Sequence, residues 1–248
     1  MDDGKLTVRA VERALDIMLV FREYSSLSLT EIAEKVGLHK STVHRLLASL
    51  EGKGFLLRDH ATDKYRLGFR IWELSAQITG QMDDPGTVLL PEMERLRDAV
   101  GETISLYIRE GSERIRIQAV QSKQAIRRVA PVGARLPLYV GASGKVLLAF
   151  AEEEVRREIV GGGDWPDTID QASFLEGLEF IRRSGYATSV EERAPGVAAL
   201  SAPIIAGSGR LVAALAVSGP SNRLDPSRMK EIAPEMMEAA RRMGKMLK

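Results

Sequence analysis

The segment from Ser28 to Glu51 constrains the fold of this chain more than any other part of the sequence. Ser28 stands three residues before Glu31, which is the capping-box spacing that opens a helix. Gly37 suits the left-handed position that ends a helix. A second helical stripe follows this glycine and consists of Val43, Leu46, Leu47 and Leu50. Two short helices joined by a glycine-containing turn predict a helix-turn-helix.

The residues on either side of this motif extend it into a small domain. Apolar spacing predicts a helix over 6–24, and two short strands are predicted over 55–58 and 64–67. The polar connection between the two strands has the length of a hairpin loop. In a winged helix-turn-helix, the hairpin that follows the second motif helix is the wing. We therefore expect a winged helix-turn-helix over 1–67.

Helical spacing over 68–82 and a break at Asp83-Asp84-Pro85-Gly86 mark the end of this first domain. We interpret the helix as a linker over 68–84 and assign 85–248 to a second domain. Helices are predicted there over 88–100, 143–150, 152–160, 173–184 and 225–247, the last interrupted at Pro234, and hairpins over 103–121 and 197–218. Mixed helices and hairpins indicate an α+β fold with an antiparallel sheet.

Histidine and cysteine are distributed in a way that disfavours catalysis. The chain has no cysteine, and its three histidines are His39, His44 and His60. A thiol nucleophile is therefore impossible, and so is a Ser-His-Asp triad beyond residue 60. We expect no metal or other cofactor. The lack of cysteine fits a reducing cytoplasm, and the sequence shows neither a secretory signal nor an apolar run of about 20 residues that would span a membrane. We expect a cytoplasmic protein.

The outward face of the second motif helix is rich in hydrogen-bond donors and carries no acidic residue. Three further cations stand on the predicted hairpin, where phosphates would lie. Such side chains suit base edges and phosphate oxygens, so we predict that this surface binds DNA. The candidate residues are Ser28, Thr30, His39, Lys40, Ser41, Thr42, His44, Arg45, Ser49, Arg58, Lys64 and Arg66. The alternative is the solvated face of an ordinary helical bundle, and the net charge of +1 does not separate the two.

Longer stretches in both halves of the chain agree with one known family. The stretch SLSLTEIAEKVGLHKSTVHRLLASLEGKGFLLRDHATDKYRLGFRIWELS looks like the winged helix of the IclR family of transcription regulators. In the second half, GARLPLY, GASGK, EERAPGVAALSAPI and AVSGP are similar to segments of that family's effector domain. The resemblance covers nearly the whole chain. It implies an effector domain of GAF-like architecture, assembly into dimers or tetramers, and DNA binding that a small molecule controls.

The same resemblance implies an effector pocket on one face of the sheet. Its candidate wall residues are Arg128, Leu136, Ala142, Ser143, Ser189, Val197, Ala199, Ala216 and Ser218. Ala199 and Ala216 are apolar where family members that bind small keto acids offer polar groups. This departure favours a bulkier, partly apolar effector. Tyr107 and Tyr139 are candidate aromatic walls, with half-buried core positions as the alternative.

Two features favour a carboxylate on this effector. Gly141-Ala142-Ser143-Gly144-Lys145 precedes an apolar helix, whose free N–H groups and Ser143 hydroxyl suit an anion. Plain capping of the helix by Ser143 is the alternative. Arg128 belongs to a basic run with Lys123 and Arg127 and suits a carboxylate partner, unless the run is a solvated strand edge.

Together these features predict a ligand-responsive transcription regulator, with repression of a catabolic operon as the expected role. A dimer would bind a roughly palindromic operator, with half-sites about one helical turn apart or a multiple of it. Two alternatives stay open: a small-molecule enzyme with an ancillary nucleic-acid module, and an architectural DNA binder with a purely dimerising second domain. Glu191-Glu192-Arg193 lacks a companion nucleophile or metal, so we interpret it as structural ion pairing rather than an acid–base pair.

Overall fold

The computed structural model describes residues 7–81, 85–127, 131–163 and 165–247. They belong to two compact units, Met1–Met82 and Asp83–Lys248. The first unit contains α1 (Arg9–Val20), β1 (Leu27–Ser28), α2 (Leu29–Val36), α3 (Lys40–Gly52), β2 (Leu56–Asp59), β3 (Lys64–Leu67) and α4 (Phe69–Gln81). Its core joins the apolar faces of α1, α2 and α3 to the hairpin and includes Ile17, Ile32, Val43, Leu47, Leu56 and Tyr65.

The predicted capping box and glycine stop of α2 are confirmed. The Ser28 hydroxyl accepts the Glu31 N–H at 3.4 Å, and the Glu31 carboxylate accepts the Ser28 N–H at 2.7 Å. Gly37 has a φ of 65°, a left-handed conformation that favours glycine. The strand β1 was not predicted. It pairs antiparallel with β3 in a sheet of order β1-β3-β2, so the hairpin is tied to the start of α2.

The second unit places helices on both faces of one antiparallel sheet. Its elements are α5 (Pro85–Val88), α6 (Leu90–Val100), β4 (Thr103–Glu110), β5 (Glu113–Val120), β6 (Arg135–Pro137), α7 (Ala142–Ala149), α8 (Glu153–Val160), α9 (Gln171–Ser184), β7 (Ala187–Val190), β8 (Val197–Ile205), β9 (Leu211–Pro220) and α10 (Pro226–Met246). The strand order is β6-β5-β4-β9-β8-β7, and the paired strands are antiparallel throughout.

Alternate residues of the central strands supply two separate cores. Ile104, Leu200 and Leu215 face α6 and α10. Tyr107 and Ala216 point the other way, because successive strand residues face opposite sides of a sheet, and they pack with α7 and α9. The predicted α+β class is thus confirmed, and no face of the central strands is left to solvent.

One prediction about the helices is wrong. Pro234 does not interrupt the last helix, since α10 is continuous from Pro226 to Met246. Pro234 is exposed, so the carbonyl that loses its partner is open to water, while buried Ala233 and Met236 on either side hold the helix against the sheet. The helix predicted over 88–100 is confirmed as α6, which begins two residues later at Leu90, and the short helix α5 before it was not predicted. The short strands β6 and β7 were not predicted.

Candidate DNA-binding surface and effector cavity

The helix α3 separates an apolar face from a polar one. Val43 and Leu47 are fully buried in the core of the first unit. The opposite face is exposed and carries six of the predicted DNA-binding residues: His39, Lys40, Ser41, His44, Arg45 and Ser49. Thr42 is half-buried beside them. This is the second helix of the helix-turn-helix, which in such motifs enters the major groove.

The polar side chains of α3 divide into two groups. His39 is the N-cap residue, and its Nδ1 lies 2.8 Å from the Ser41 hydroxyl. The Ser49 hydroxyl donates to the Arg45 carbonyl at 3.0 Å. By contrast, the side chains of Lys40, His44 and Arg45 make no hydrogen bond or ion pair with other described residues. They are therefore available to an external partner.

The wing presents less free charge than its sequence suggests. Arg58 of β2 donates from Nε to Asp63 at 2.8 Å, and this hydrogen bond raises the pKa of Arg58. Lys64 is half-buried and Arg66 is exposed on β3. At the start of α2, the Ser28 hydroxyl is engaged by Glu31 and Thr30 is half-buried.

A small cavity lies on the α7 face of the sheet in the second unit. Its volume is about 50 Å³. Most of the predicted effector residues line it: Tyr107, Ala142, Ser143, Ser189, Val197, Ala199, Ala216 and Ser218. Residues that were not predicted as walls also line it: Arg114, Arg116, Gly141, Glu192 and Arg193. We call this space the effector cavity.

Two of the described residues that were predicted as effector residues, Leu136 and Tyr139, are not in this lining. Leu136 is half-buried on β6 and packs against the α7 core, and the Tyr139 ring meets Trp165 edge-to-face at 5.8 Å. Arg128 lies outside the described residues. Its sequence neighbours in the basic run have surface partners, because Lys123 pairs with Asp98 at 2.8 Å and Arg127 donates to Gln121 at 3.1 Å.

Two arginines of β5 bring positive charge into the interior of the second unit. Arg114 and Arg116 are each only 2% exposed. Arg116 Nε donates to the Tyr107 hydroxyl at 3.0 Å, and both guanidinium groups lie within 6 Å of the Tyr107 ring centroid, at 5.7 Å for Arg114 and 5.3 Å for Arg116. Burial lowers the pKa of Arg114 to about 10, so this guanidinium is still charged at neutral pH.

Arg114 also organises the loop that leads into α7. It donates to the Val140 carbonyl at 2.7 Å and to the Pro137 carbonyl. Such close approach requires Gly144, because a Cβ there would lie 2.5 Å from Arg114 Nη1 and 2.3 Å from the Leu138 carbonyl oxygen. Arg114 forms no salt bridge with a carboxylate of the described residues.

The start of α7 already holds an internal carboxylate. Glu192 accepts the Gly141 N–H at 2.9 Å and pairs with Lys145 at 2.5 Å. Ser143 does not cap the helix, since no side chain caps its first turn. The interpretation of Glu191-Glu192-Arg193 as structural ion pairing is confirmed for Glu192.

Two of the buried polar atoms without a partner belong to residues of the same cavity. Among the described residues, three side-chain atoms are buried without a hydrogen-bond partner: Ser105 Oγ, Arg114 Nε and Ser218 Oγ. Arg114 and Ser218 line the effector cavity, whereas Ser105 does not. Native proteins satisfy nearly all buried polar groups, so such atoms indicate a missing partner such as a ligand or water.

The described ranges contain no cluster of three or more His, Cys, Asp and Glu side chains that could hold a metal ion. No helix in the part of the chain that the structure describes is long and apolar enough to cross a membrane.

A winged helix-turn-helix and an antiparallel-sheet domain with a polar cavity define a transcription regulator with a DNA-binding and an effector domain. Family models agree: the IclR helix-turn-helix domain matches residues 10–60, and the bacterial transcriptional regulator IclR C-terminal domain matches residues 86–245. The chain belongs to the IclR family of transcription regulators.

Individual relatives support this assignment. The regulator BhcR of Paracoccus denitrificans is 33% identical over 245 residues, covering 96% of this chain and 86% of its own. The repressor AllR of Escherichia coli is 33% identical over 226 residues, covering 89% and 83%. An IclR homolog of Microbacterium hydrocarbonoxydans, solved with 4-hydroxybenzoate, has a TM-score of 0.79 at 26% identity, covering 95% of this chain and 98% of that one. The relatives are regulators and both domains are regulator domains, so this chain is a regulator and not an enzyme.

Proposed function

We propose that this chain is a repressor that binds a roughly palindromic operator as a homodimer and responds to a small carboxylate in the effector cavity. The helix α4 lies in a linker over 68–84, between a DNA-binding domain over 1–67 and an effector domain over 85–248. The carboxylate favours one placement of the two winged helices over another and so changes the affinity for DNA. Repression is supported by the similarity to AllR, which is named a repressor. A bacterial chain that binds chromosomal DNA acts in the cytoplasm.

An excess of positive charge in the effector cavity is the observation that supports a carboxylate ligand. Among the described lining residues three are arginines and one is a carboxylate, Glu192, which is already paired with Lys145. Burial of the Arg114 guanidinium is costly, and Glu192 offsets that cost only through space, because Arg114 forms no salt bridge with a described carboxylate. A ligand carboxylate beside Arg114 would lower the cost further. The same ligand would satisfy the Ser218 hydroxyl. The relative from Microbacterium that was solved with 4-hydroxybenzoate shows an aromatic carboxylate bound to a protein of this fold.

The size of the cavity narrows the class of effector. One water needs about 10–15 Å³ on this scale, so about 50 Å³ holds a carboxylate and a few further heavy atoms. This favours a compact keto or hydroxy acid. It is a smaller ligand than Ala199 and Ala216 led us to expect from the sequence.

An exposed apolar stripe on α1 supports the homodimer. Val8, Val11, Leu15 and Leu19 recur at helical spacing, and they are 64%, 54%, 57% and 55% exposed. A contiguous apolar stripe of this kind typically marks a protein–protein interface. The DNA-binding domains of two chains are therefore proposed to associate through α1.

The DNA half of the proposal is tested on the sequence upstream of the chain's own gene and the neighbouring operon. Fluorescence anisotropy at two salt concentrations should show specific, salt-sensitive binding. Arg45→Ala should weaken it by about 1–3 kcal/mol, because the Arg45 side chain has no hydrogen-bond or ion-pair partner among the described residues and is open to DNA. Arg109→Ala, at an exposed position near the end of β4, is the matched control and should leave affinity unchanged. If folded wild-type protein bound none of this DNA, the proposal that it regulates this operon would be refuted.

The ligand half is tested with two serines that differ only in position. Ser218 Oγ and Ser105 Oγ are both buried without a partner, but only Ser218 lines the effector cavity. A panel of compact carboxylates is titrated into the wild type by calorimetry, and one is expected to bind and to shift DNA affinity. Ser218→Ala should weaken that ligand about tenfold or more, whereas Ser105→Ala should not. Equal effects of the two variants would place the ligand elsewhere.

A further inference from the structure

A second, larger depression lies in the effector domain, at the edge of the sheet. It is formed by α9, the edge strand β7 and the first turn of α10, and its volume is about 520 Å³. This lies within the range of roughly 300–1,000 Å³ that is typical of small-molecule sites. We call it the edge groove. Lys145 is its link to the effector cavity, because it lines the groove and pairs with Glu192 of the cavity.

The floor of the edge groove is apolar and partly open to solvent. Phe174, Leu178 and Ile181 of α9 contribute to it, together with Met229 of α10. At its rim, Phe180 is 64% exposed and Val190 is 43% exposed. Large apolar side chains gathered in one exposed depression indicate that a ligand or partner covers them.

The charged residues that line the edge groove are basic. Lys145 and Lys230 line it, and none of the described lining residues is acidic. Lys145 is engaged by Glu192 and by the Thr188 carbonyl, at 2.5 and 2.9 Å. Lys230 is exposed and forms no ion pair with other described residues, so its ammonium group is free for an external anion.

The contacts of β7 favour a small ligand in the edge groove over a strand added from another chain. Pairing of another chain with β7 needs the outward backbone groups of that strand, and Lys145 already occupies the Thr188 carbonyl. We propose that the edge groove binds an amphipathic monocarboxylate, with its hydrocarbon tail on the α9 floor and its carboxylate at Lys230. The groove and the effector cavity share no described lining residue, so the proposal does not rest on the proposed effector.

The proposal is tested by calorimetry with hexanoate, heptanoate and octanoate on the full-length chain. The fluorescence of Trp165 gives a second readout, because its ring lies 4.8 Å from Phe174 of the floor. Binding should saturate at one ligand per chain and should tighten about two- to fourfold for each added methylene, as the burial of a CH₂ group predicts. Octanol should bind more weakly than octanoate. Absence of saturable octanoate binding to the folded wild type would overturn the proposal.

Two substitutions locate the site and its chemistry. A Cβ at Gly177 of α9 would meet no described atom within 4 Å, and Gly177 lines the groove, so we expect Gly177→Leu to place its side chain in the groove and to abolish binding. Gly177→Ala is the matched control and should retain it. Lys230→Gln should weaken octanoate about two- to fivefold, as expected for an exposed ion pair, and should leave octanol unchanged.

The remaining outcomes decide against the proposal. Octanoate binding that survives in Gly177→Leu excludes the groove as the site. Equal loss of octanoate and octanol in Lys230→Gln excludes the carboxylate as the recognised group. Self-association of the wild type that only Gly177→Leu abolishes identifies a second copy of the chain as the occupant. Ser218→Ala should bind octanoate normally, and loss of binding there would move the ligand into the effector cavity.

Discussion

Gly144 is the residue on which the shape of the effector cavity depends most directly. Gly144→Ala would force a Cβ against the Leu138 carbonyl and Arg114, at 2.3 and 2.5 Å, and the carbonyl belongs to a backbone that cannot swing away. We expect the effector domain to lose about 1–3 kcal/mol or more of unfolding free energy, as in other overpacked cores. Urea unfolding followed by circular dichroism measures the change.

Gly177→Ala is the control for the same substitution in the same domain. Its Cβ meets nothing within 4 Å, and alanine is favoured over glycine inside a helix, so stability should be unchanged or higher by about 0.5–1 kcal/mol. Should Gly144→Ala unfold at the same urea concentration as the wild type, the close packing of Arg114 beneath α7 is not what shapes this cavity.

Single residues of β5 also show where the sequence misleads. The pattern Arg114-Ile115-Arg116-Ile117 suggests an apolar inner face and a charged outer face. The structure inverts it, because both arginines are buried whereas both isoleucines are only half-buried. Alternation predicts which residues share a face, but it assumes that one face is solvated. Here helices cover both faces, so the arginines are enclosed and become cavity walls.

At the scale of elements, the role of the wing in DNA binding can be tested by a substitution that preserves its backbone conformation. Asp63 has a φ of 55°, a left-handed conformation that asparagine tolerates as well as aspartate. Asp63→Asn removes a negative charge beside the DNA backbone and releases Arg58 from its carboxylate partner. We therefore expect tighter operator binding and a salt dependence that is steeper by about one phosphate contact. Anisotropy titrations across a range of salt concentrations measure both quantities.

Asp167→Asn provides the control for that experiment. It makes the same change of charge at an exposed site on the effector domain, and operator affinity should not respond. If Asp63→Asn and Asp167→Asn have equal effects, net charge and not the wing is responsible. If neither has an effect, the wing does not approach the phosphates.

The elements that the sequence predicts well are those specified by local signals. The capping box of α2 and the glycine at its end lie within ten residues of each other, and both are found. The strands β1, β6 and β7 are two to four residues long and exist only because distant strands pair with them, so periodicity does not reveal them. Pro234 is misread for a related reason, since packing against the sheet outweighs a local helix breaker.

The effector cavity belongs to the scale of the whole molecule. Its walls come from β4, β5, the start of α7, β7, β8 and β9, which are far apart in sequence. Family resemblance implies many of these positions, including Ser189 and Ser218, because relatives with the same fold have wall residues at the corresponding places. It does not imply Arg114, Arg116 or Glu192, whose role depends on which neighbours enclose them in this chain. The positive charge that supports a carboxylate ligand is therefore recognised only from the structure, which shows that these arginines line the cavity.

The stripe on α1 gives a prediction about the assembled protein. Leu15 lies in the middle of this stripe and is 57% exposed, so Leu15→Gln should cost little stability within one chain and should weaken the proposed dimer. A C2 dimer contains the substitution twice, which doubles the effect at the interface. Sedimentation velocity should show more monomer, and a full palindrome should bind much more weakly while a single half-site keeps its affinity. Ile126→Gln changes an equally apolar residue, 74% exposed on the effector domain, and should alter neither measurement. A Leu15→Gln protein that sediments and binds the palindrome like the wild type would show that the two DNA-binding domains do not meet through α1.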